Sequence, residues 1–171
     1  LRSGDPSRMS DWLRIDNAAG RMDRVYARLL SAVRSGGPVY AAEYGESFWA
    51  DLAANPDLQH SFDTLMTTDA ADYYSMIEHR DWPVGGHVVD IGGGQGSLLE
   101  RLLTDHPDLR ATLFELPETA ETGRKFLSTT TVADRCAVVA GDFFDDQIPT
   151  GADVYLLASV LHNWDDERAE R

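Results

Sequence analysis

Apolar side chains recur at helical spacing through the first part of the chain. Between residues 10 and 35 they fall three and four positions apart, which places them on one face of a helix that "SGGP" then ends. Two further helices are predicted over "ESFWADLAA" and over residues 57–79. Roughly the first 80 residues are therefore predicted to be helical. The apolar stripe of the first predicted helix consists of Met22, Val25, Tyr26, Leu29, Leu30 and Val33.

After "DWPVGG" the pattern changes to short apolar runs that alternate with helical segments. The runs are "HVVDI", "ATLFEL", "CAVVAGDFF" and "DVYLLASVL". Such alternation indicates βαβ units and a parallel sheet. Both faces of such a sheet are covered, so its strands read as continuous apolar runs, as "VYLLASVL" does. The sequence thus predicts an α/β protein with a helical region over residues 1–80 and a Rossmann-like, doubly wound sheet over residues 81–171.

Charge and cysteine content narrow the possible functions. The 171 residues include 15 basic and 29 acidic side chains, a net charge of −14. Such a surface repels nucleic acid and anionic membranes, so neither is an expected partner. The single cysteine, Cys136, cannot form an internal disulfide, and without a His/Cys cluster no metal site is expected. With no apolar run as long as a membrane span and no signal peptide, the prediction is a soluble cytoplasmic protein.

A cluster of glycines follows the first predicted strand. Asp90 closes that strand, and Gly92, Gly93, Gly94 and Gly96 form the turn into the next helix. In a doubly wound sheet this first turn is where a nucleotide-bearing cofactor lies, although the glycines alone also fit a simple tight turn. A P-loop requires a lysine after its glycines, and none follows them here. The third glycine of the dinucleotide pattern is also missing, which disfavours an NAD-dependent oxidoreductase. The carboxylate of Asp90 suits a cationic ligand better than a pyrophosphate.

Two more strand ends carry side chains suited to an adenosine. Glu115 ends the second predicted strand, where a carboxylate can accept hydrogen bonds from ribose hydroxyls. Asp142 and Phe143, in "GDFF" after the third strand, offer an acceptor for an exocyclic amine and an apolar surface for a ring. Taken singly, these residues also fit a solvated carboxylate and a turn followed by core aromatics. Their convergence with the glycines on one edge of the sheet is what indicates a site.

With these motifs, the chain resembles the class I S-adenosylmethionine-dependent methyltransferases. "VVDIGGGQG" is similar to the first motif of that family, "FEL" to its acidic second-strand end, and "GDFF" to its adenine-contacting segment. "VYAAEYGESFWADLAANPDLQHSFDTLM" and "LASVLHNWDDE" resemble small-molecule O-methyltransferases, which act on plant phenolics and in bacterial anthracycline and related polyketide antibiotic pathways. The bacterial branch is the closer match. The resemblance implies methyl transfer from S-adenosyl-L-methionine to a hydroxyl of a small aromatic or polyketide acceptor.

The resemblance also implies a longer, dimeric protein. Family members carry a dimerisation and winged-helix region before this stretch and further strands and helices after it. The sequence starts at Leu1 rather than a methionine and stops at "WDDERAER", which reads as the start of a helix. We therefore expect a fragment of a homodimeric enzyme, with an incomplete methyltransferase sheet preceded by a helical dimerisation segment. Residues 1–171 alone are expected to bind the cofactor weakly and to show little turnover.

The resemblance assigns a role to each cofactor-binding candidate. The glycines contact the methionine part of the cofactor, with Asp90 as a nearby organiser. Glu115 binds the ribose, and Asp142 and Phe143 bind the adenine. The glycines with this role are Gly92, Gly94 and Gly96.

The resemblance further implies a general base. His162 follows the fourth predicted strand and matches the histidine that removes the acceptor proton in phenolic O-methyltransferases; histidine side chains suit this because they titrate near neutral pH. Asn163, in the same loop, would contact the acceptor. Asp69 and Met66 lie on a helix whose family counterpart lines the cleft, although a solvated residue and a core residue fit them equally well.

Two positions depart from the family pattern. Gln59 stands where close relatives place an arginine near the cofactor carboxylate, and an amide donates a hydrogen bond but supplies no charge. Ala158 stands where relatives often have serine or lysine, so only a backbone contact can be made there. Two other functions stay open: a relative that binds the same cofactor but performs hydroxylation or decarboxylation, and a non-catalytic binding or dimerisation module.

Overall fold

The computed structural model describes residues 9–171, except for the side chains of residues 9, 67–72 and 76. The chain forms two compact units that divide between Thr68 and Asp69. The side chain of Asp69, a predicted cleft residue, lies outside the described set. None of the helices in the described part of the chain is long and apolar enough to cross a membrane.

The described part of the first unit, from residue 9 onward, is helical, as predicted. Its apolar core gathers Ala18, Ala19, Leu52, Leu58 and Leu65. Asn17 and Ser47 cap two of the helices, because their side chains accept hydrogen bonds from main-chain N–H groups three residues on. The helices are α1 (Met9–Trp12), α2 (Ala18–Tyr26), α3 (Leu29–Ser35), α4 (Tyr40–Tyr44), α5 (Phe48–Ala54) and α6 (Pro56–Ile77), the last of which continues into the second unit.

The prediction of one helix over residues 10–35 is wrong. The segment divides into α1, α2 and α3, and α2 buries small residues instead of the predicted stripe. A Cβ at Gly20 would lie 2.5 Å from the backbone of Ile15, so only glycine permits this close approach. Four residues of the predicted stripe are exposed in this chain: Tyr26, Leu29, Leu30 and Val33.

A buried carboxylate connects three helices of the first unit. Asp51 on α5 accepts a hydrogen bond of 2.5 Å from the Tyr40 hydroxyl on α4 and pairs with Arg21 on α2. Burial favours the neutral form of Asp51, but hydrogen bonds from Tyr40, Arg21 and Asn55 outweigh it and hold the pKa of this carboxyl below its ordinary value. Burial, and then the hydrogen bond to Asp51, raise the pKa of Tyr40 to about 12.

The second unit contains the predicted parallel sheet. Its strands are β1 (His87–Ile91), β2 (Arg110–Glu115), β3 (Cys136–Ala140) and β4 (Val154–Leu156), in the order β3-β2-β1-β4 and all parallel. The α/β fold class is therefore confirmed. The chain adds β2 and β3 on one side of β1 and β4 on the other, so the winding direction switches between β1 and β4.

Each face of the sheet has its own apolar cluster. Helices α7 (Ser97–Asp105) and α8 (Pro117–Ser128) cover one face, where Leu99, Leu102 and Leu127 pack with Val88 and Leu113. A smaller cluster on the other face consists of Val89, Ile91 and Phe114, with Phe143, Ile148 and Ala152 packed against it.

The predicted strand over "DVYLLASVL" is shorter than expected. Only Val154–Leu156 form β4, and Tyr155 and Leu157 are 42% and 40% exposed, so this run is not covered on both faces. Beyond the end of the strand, Ser159 adopts a left-handed backbone conformation, with a φ of 56°. A 3₁₀ turn at Leu161–Asn163 and helix α9 (Asp166–Ala169) follow, the latter capped by Asp165.

Candidate functional site

The candidate site lies at the carboxyl edge of the sheet, where the winding direction switches between β1 and β4. Asp90 is in register with Leu113 on β2 and Leu156 on β4. The N–H of Gly92 donates to the carbonyl of Phe114, and that of Gly141 donates to the carbonyl of Glu115, both at 2.9 Å. The structure thus brings the glycine turn, the end of β2 and the segment after β3 together on one edge, as the strand pattern predicts.

The glycine turn combines close packing with an open surface. Gly92, Gly94 and Gly96 all have positive φ, at 70°, 61° and 87°. A Cβ at Gly92 would lie 2.9 Å from Val160, and one at Gly96 would lie 2.9 Å from Leu127, so these two glycines permit close packing. Within the described residues 9–171, a Cβ at Gly94 would meet nothing within 4 Å. The main chain at Gly94 is therefore bare on a side that faces open space, which is the arrangement that lets a ligand approach the backbone.

Asp90 lies beneath this turn and is 0% exposed. Among the residues that the structure describes, neither of its carboxylate oxygens has a hydrogen-bond partner. Burial first, and the charge of Glu115 second, raise its pKa to about 7. The strand ends at Ile91, so Asp90 lies one residue inside the strand, whereas the sequence predicted that Asp90 closes it.

Glu115 ends β2, as predicted, and its side chain is half-buried. Its carboxylate accepts a hydrogen bond from the N–H of Leu116. Asp142 lies two residues beyond β3, where its Oδ1 accepts a hydrogen bond of 2.9 Å from the N–H of Phe144. Asp142 thus stabilises a turn as well as presenting a half-buried carboxylate at the edge of the sheet.

Phe143 belongs to an aromatic cluster that the sequence predicted only in part. Its ring lies 4.7 Å from that of Phe144, and Trp164 packs edge-on against both, at 6.0 Å and 4.7 Å between ring centroids. The indole Nε1 of Trp164 is buried and has no hydrogen-bond partner in the described part of the chain. No periodic signal in the sequence indicated that Trp164 reaches Phe143.

His162 is exposed on the 3₁₀ turn after β4. The next residue, Asn163, donates a hydrogen bond of 3.0 Å from its side-chain amide to the carbonyl of Ser159. Asn163 therefore braces the loop that presents His162, whereas the sequence predicted only an acceptor contact for it. Sequence reasoning missed both Ser159 and Val160, because a left-handed serine and a valine packed over a glycine leave no pattern in the sequence.

The two positions that depart from the family pattern are both engaged in local contacts. The side-chain amide of Gln59 donates a hydrogen bond of 2.7 Å to Asp63, one turn later on α6. Ala158 packs against the helix-covered apolar cluster of the sheet. Within the described residues, no group of three or more His, Cys, Asp or Glu side chains is arranged to hold a metal ion.

Comparison with protein families gives a match over most of the chain. Residues 26–171 match the O-methyltransferase domain family. A solved structure of an O-methyltransferase from neocarzinostatin biosynthesis, in complex with S-adenosylmethionine and 2-hydroxy-5-methyl naphthoic acid, superposes with a TM-score of 0.92 at 42% identity. The match covers 98% of this chain and 52% of that one.

Two curated relatives carry different activities in their names. The 2,7-dihydroxy-5-methyl-1-naphthoate 7-O-methyltransferase of Streptomyces carzinostaticus is 42% identical over 167 residues, which cover 97% of this chain and 50% of the relative. Aclacinomycin 10-hydroxylase RdmB of Streptomyces purpurascens is also 42% identical, over 170 residues that cover 99% of this chain and 45% of the relative. The chain thus spans about half the length of the curated relatives it matches.

Proposed function

The chain belongs to the O-methyltransferase domain family, and from this premise we propose that the protein transfers a methyl group from S-adenosylmethionine to a hydroxyl of a small aromatic natural product. The observation that carries the proposal is the carboxyl edge of the sheet, where the bare main chain at Gly94 faces open space and where Glu115 and Asp142 also lie. The relative that acts on a naphthoate and the neighbour solved with a naphthoic acid support an aromatic acceptor.

The residues at this edge fit the parts of that cofactor. The glycine turn would hold the methionine portion through main-chain groups, because Gly94 has no side chain to keep a ligand away. Glu115 would accept hydrogen bonds from the ribose hydroxyls, and Asp142 with Phe143 would hold the adenine. When bound, the cofactor supplies an electrophilic methyl group on a positively charged sulfur. The buried carboxylate of Asp90 supplies negative charge under the same turn.

The protein would accelerate the transfer chiefly by holding the acceptor oxygen in line with the methyl group. Such positioning can contribute roughly 7–11 kcal/mol. His162 would accept the hydroxyl proton at an imidazole nitrogen, worth about 10²- to 10⁴-fold in rate. Its exposure on the turn after β4 leaves it accessible to an acceptor from solvent.

We also propose that the protein acts as a homodimer. The exposed apolar residues of α2 and α3 support this, because water-exposed clusters of large apolar side chains are characteristic of protein interfaces. They include Tyr26, Leu29, Leu30 and Val33. Analytical ultracentrifugation of the intact protein tests the proposal, and a strictly monomeric protein would contradict it.

A second candidate function is hydroxylation of a polyketide by a protein that retains the cofactor site. The specific observation in its favour is the 42% identity to aclacinomycin 10-hydroxylase RdmB. His162 favours methyl transfer, since a general base for a hydroxyl proton has an evident use in that reaction. The two functions leave different products, because methylation adds one CH₂ to the acceptor mass and hydroxylation adds one oxygen.

Mass spectrometry distinguishes the two functions directly. The intact protein is incubated with S-adenosylmethionine and a panel of hydroxylated naphthoates and anthracyclines, and the masses of the products are measured. We expect a gain of one CH₂ that becomes CD₃-labelled when the donor carries a deuterated methyl group. A gain of one oxygen would show that the protein hydroxylates its acceptor instead of methylating it. Acceptors that all keep their mass would contradict the proposed transfer to aromatic acceptors of this kind.

A further inference from the structure

Asp90 is an ionisable residue in the apolar interior of the second unit, where an unpaired charge costs free energy. Its side chain is 0% exposed and both carboxylate oxygens lack a hydrogen bond within the described part of the chain. Buried carboxylates in folded proteins are normally paired with a cation or satisfied by hydrogen bonds. An unpaired one therefore indicates either a neutral acid or a ligand that supplies the missing partner.

The surroundings of Asp90 place it against the glycine turn. Its neighbours in register, Leu113 and Leu156, are apolar. A Cβ at Gly93 would strike the Asp90 carboxylate, so the absent side chain at this position is what lets the turn lie directly over the acid. The glycine turn therefore contacts Asp90 at Gly93 and borders open space at Gly94.

The ionisable groups around Asp90 do not neutralise its charge. Burial is the larger cause of its raised pKa, which is about 7, and Glu115 at the end of β2 is the second cause. On β3, the thiol of Cys136 has its pKa raised to about 11, by burial first and by the Asp90 carboxylate second. Near neutral pH the acid is therefore poised between its neutral and ionised forms, and a nearby positive charge would favour the ionised form.

We propose that Asp90 selects the ligand by charge, ionising when the sulfonium of the methyl donor binds and remaining largely neutral when the uncharged thioether product binds. The proposal rests on the proposed function, since it assigns a task within that cofactor site. On binding of the donor, the proton of Asp90 leaves for solvent, and the carboxylate and sulfonium form a pair of opposite charges. The product lacks that positive charge, so its release is favoured and the acid takes a proton back.

This linkage has a defined dependence on pH. Below about pH 7 the free protein holds the proton, so the donor must displace it and the affinity for the donor rises with pH, approaching tenfold per pH unit. Above that pH the acid is already ionised and the affinity becomes level. The affinity for the product should change much less over the same range. Titration of the amino groups of the two ligands is common to all protein variants and cancels in the comparison between variants.

Calorimetric titration of the intact protein tests the inference. S-adenosylmethionine and S-adenosylhomocysteine are titrated between pH 5.5 and 8.5, each in two buffers of different ionisation enthalpy, which yields the number of protons released. Asp90→Asn removes the titrating group with little change of shape. Asp134→Asn removes one negative charge at an exposed position of the same unit and serves as the matched control.

At pH 6 we expect the native protein and D134N to release close to one proton more with the donor than with the product, and D90N to show no such difference. Equal proton release for both ligands in the native protein, or an unchanged difference in D90N, would overturn the inference while leaving cofactor binding intact. Absence of binding by either ligand would instead overturn the proposed function, and this inference with it.

A second variant keeps the test decisive if D90N does not fold. Glu115→Gln removes the charge that raises the pKa of Asp90, so the pH at which donor affinity becomes level should move downward. A ¹³C carboxyl signal from Asp90 in the native protein should shift to its ionised position when donor is added at pH 6, but not when product is added. An unmoved midpoint in E115Q, or an Asp90 signal that responds to both ligands alike, contradicts the inference.

Discussion

The side-chain amide of Asn163 donates a hydrogen bond of 3.0 Å to the carbonyl of Ser159, and so fixes the end of a loop that begins with a left-handed serine. Non-glycine residues adopt this conformation at a cost of about 1–3 kcal/mol. Val160, the residue after Ser159, is buried and packs over Gly92. The hydrogen bond thus stabilises a turn that positions both the Val160 side chain against Gly92 and the side chain of His162.

Replacing Asn163 with aspartate should impair methyl transfer more than cofactor binding. Aspartate has nearly the same shape but cannot donate the hydrogen bond, and the loss of about 1 kcal/mol corresponds to about a fivefold reduction in kcat. Adding Ser159→Gly should restore most of the rate, because glycine adopts a left-handed backbone conformation without strain. Steady-state kinetics and calorimetry of the single and double variants measure these effects. A double variant no faster than N163D would show that the loop geometry is not what Asn163 supplies.

Replacing Gly94 with alanine should abolish cofactor binding at little cost in stability. The new methyl group would enter the open space over the turn, where the ligand is proposed to lie. Gly151→Ala is the matched control, since Gly151 also has a positive φ and its added methyl group would meet nothing within 4 Å, but it lies outside the turn. Both substitutions should cost about 1 kcal/mol of stability. Only G94A should lose measurable binding of the cofactor, and equal affinities for the two variants would place the cofactor elsewhere.

Replacing Asp90 with asparagine should stabilise the protein at high pH. The folded-state pKa, about 7, lies above the unfolded value near 4, so between these pH values the folded state holds a proton that the unfolded state lacks. The stability from this group is therefore full below about pH 4 and is lost as the pH rises through about 7, by a few kcal/mol, on the order of 1.4 per pKa unit. Asparagine does not ionise, so D90N should melt several degrees above the native protein at pH 8 and close to it at pH 4.

Thermal unfolding in the absence of ligand checks this, with D134N as the control for removing a negative charge. A melting temperature of D90N at pH 8 that equals that of the native protein would contradict the assignment of Asp90 as a buried, ionising acid.

Replacing His162 with glutamine should reduce kcat by about 10²- to 10⁴-fold without weakening cofactor binding. Glutamine keeps polarity and approximate size but cannot accept the hydroxyl proton. His79→Gln is a suitable control, because His79 is an exposed histidine of the same unit that precedes the first strand of the sheet. Single-turnover methyl transfer measures the rate. A kcat within about threefold of the native value would mean that positioning alone drives the reaction and that no base acts at residue 162.

The parts of the fold that follow from local pattern were predictable. The apolar runs predicted β1, β2 and β3, and the carboxylates and glycines at their ends then had to share one edge because parallel strands run in the same direction. The helix over "ESFWADLAA" was also predicted, and in the structure it forms α5, which Ser47 caps. A domain boundary near residue 80 remains a prediction, while the two compact units divide at residue 68.

The parts that depend on close contact between distant residues were not predictable. Periodicity favours large apolar side chains, so it predicted burial of Leu29 and Leu30, whereas α2 packs through Ala18 and Gly20. In the same way, "VYLLASVL" reads as one strand, and nothing in its letters indicates that Ser159 turns left-handed. No pattern in the sequence indicated that the carboxylate of Asp90 has no hydrogen-bond partner among the described residues.

The most direct measurement is a calorimetric titration of the intact protein with S-adenosylhomocysteine at pH 7.5, next to the same titration of G94A. We predict saturable heat for one site per chain in the native protein, a raised melting temperature in the presence of the ligand, and no heat above dilution for G94A. A native protein that gives neither binding heat nor thermal stabilisation would contradict the assignment of the carboxyl edge of the sheet as a cofactor site.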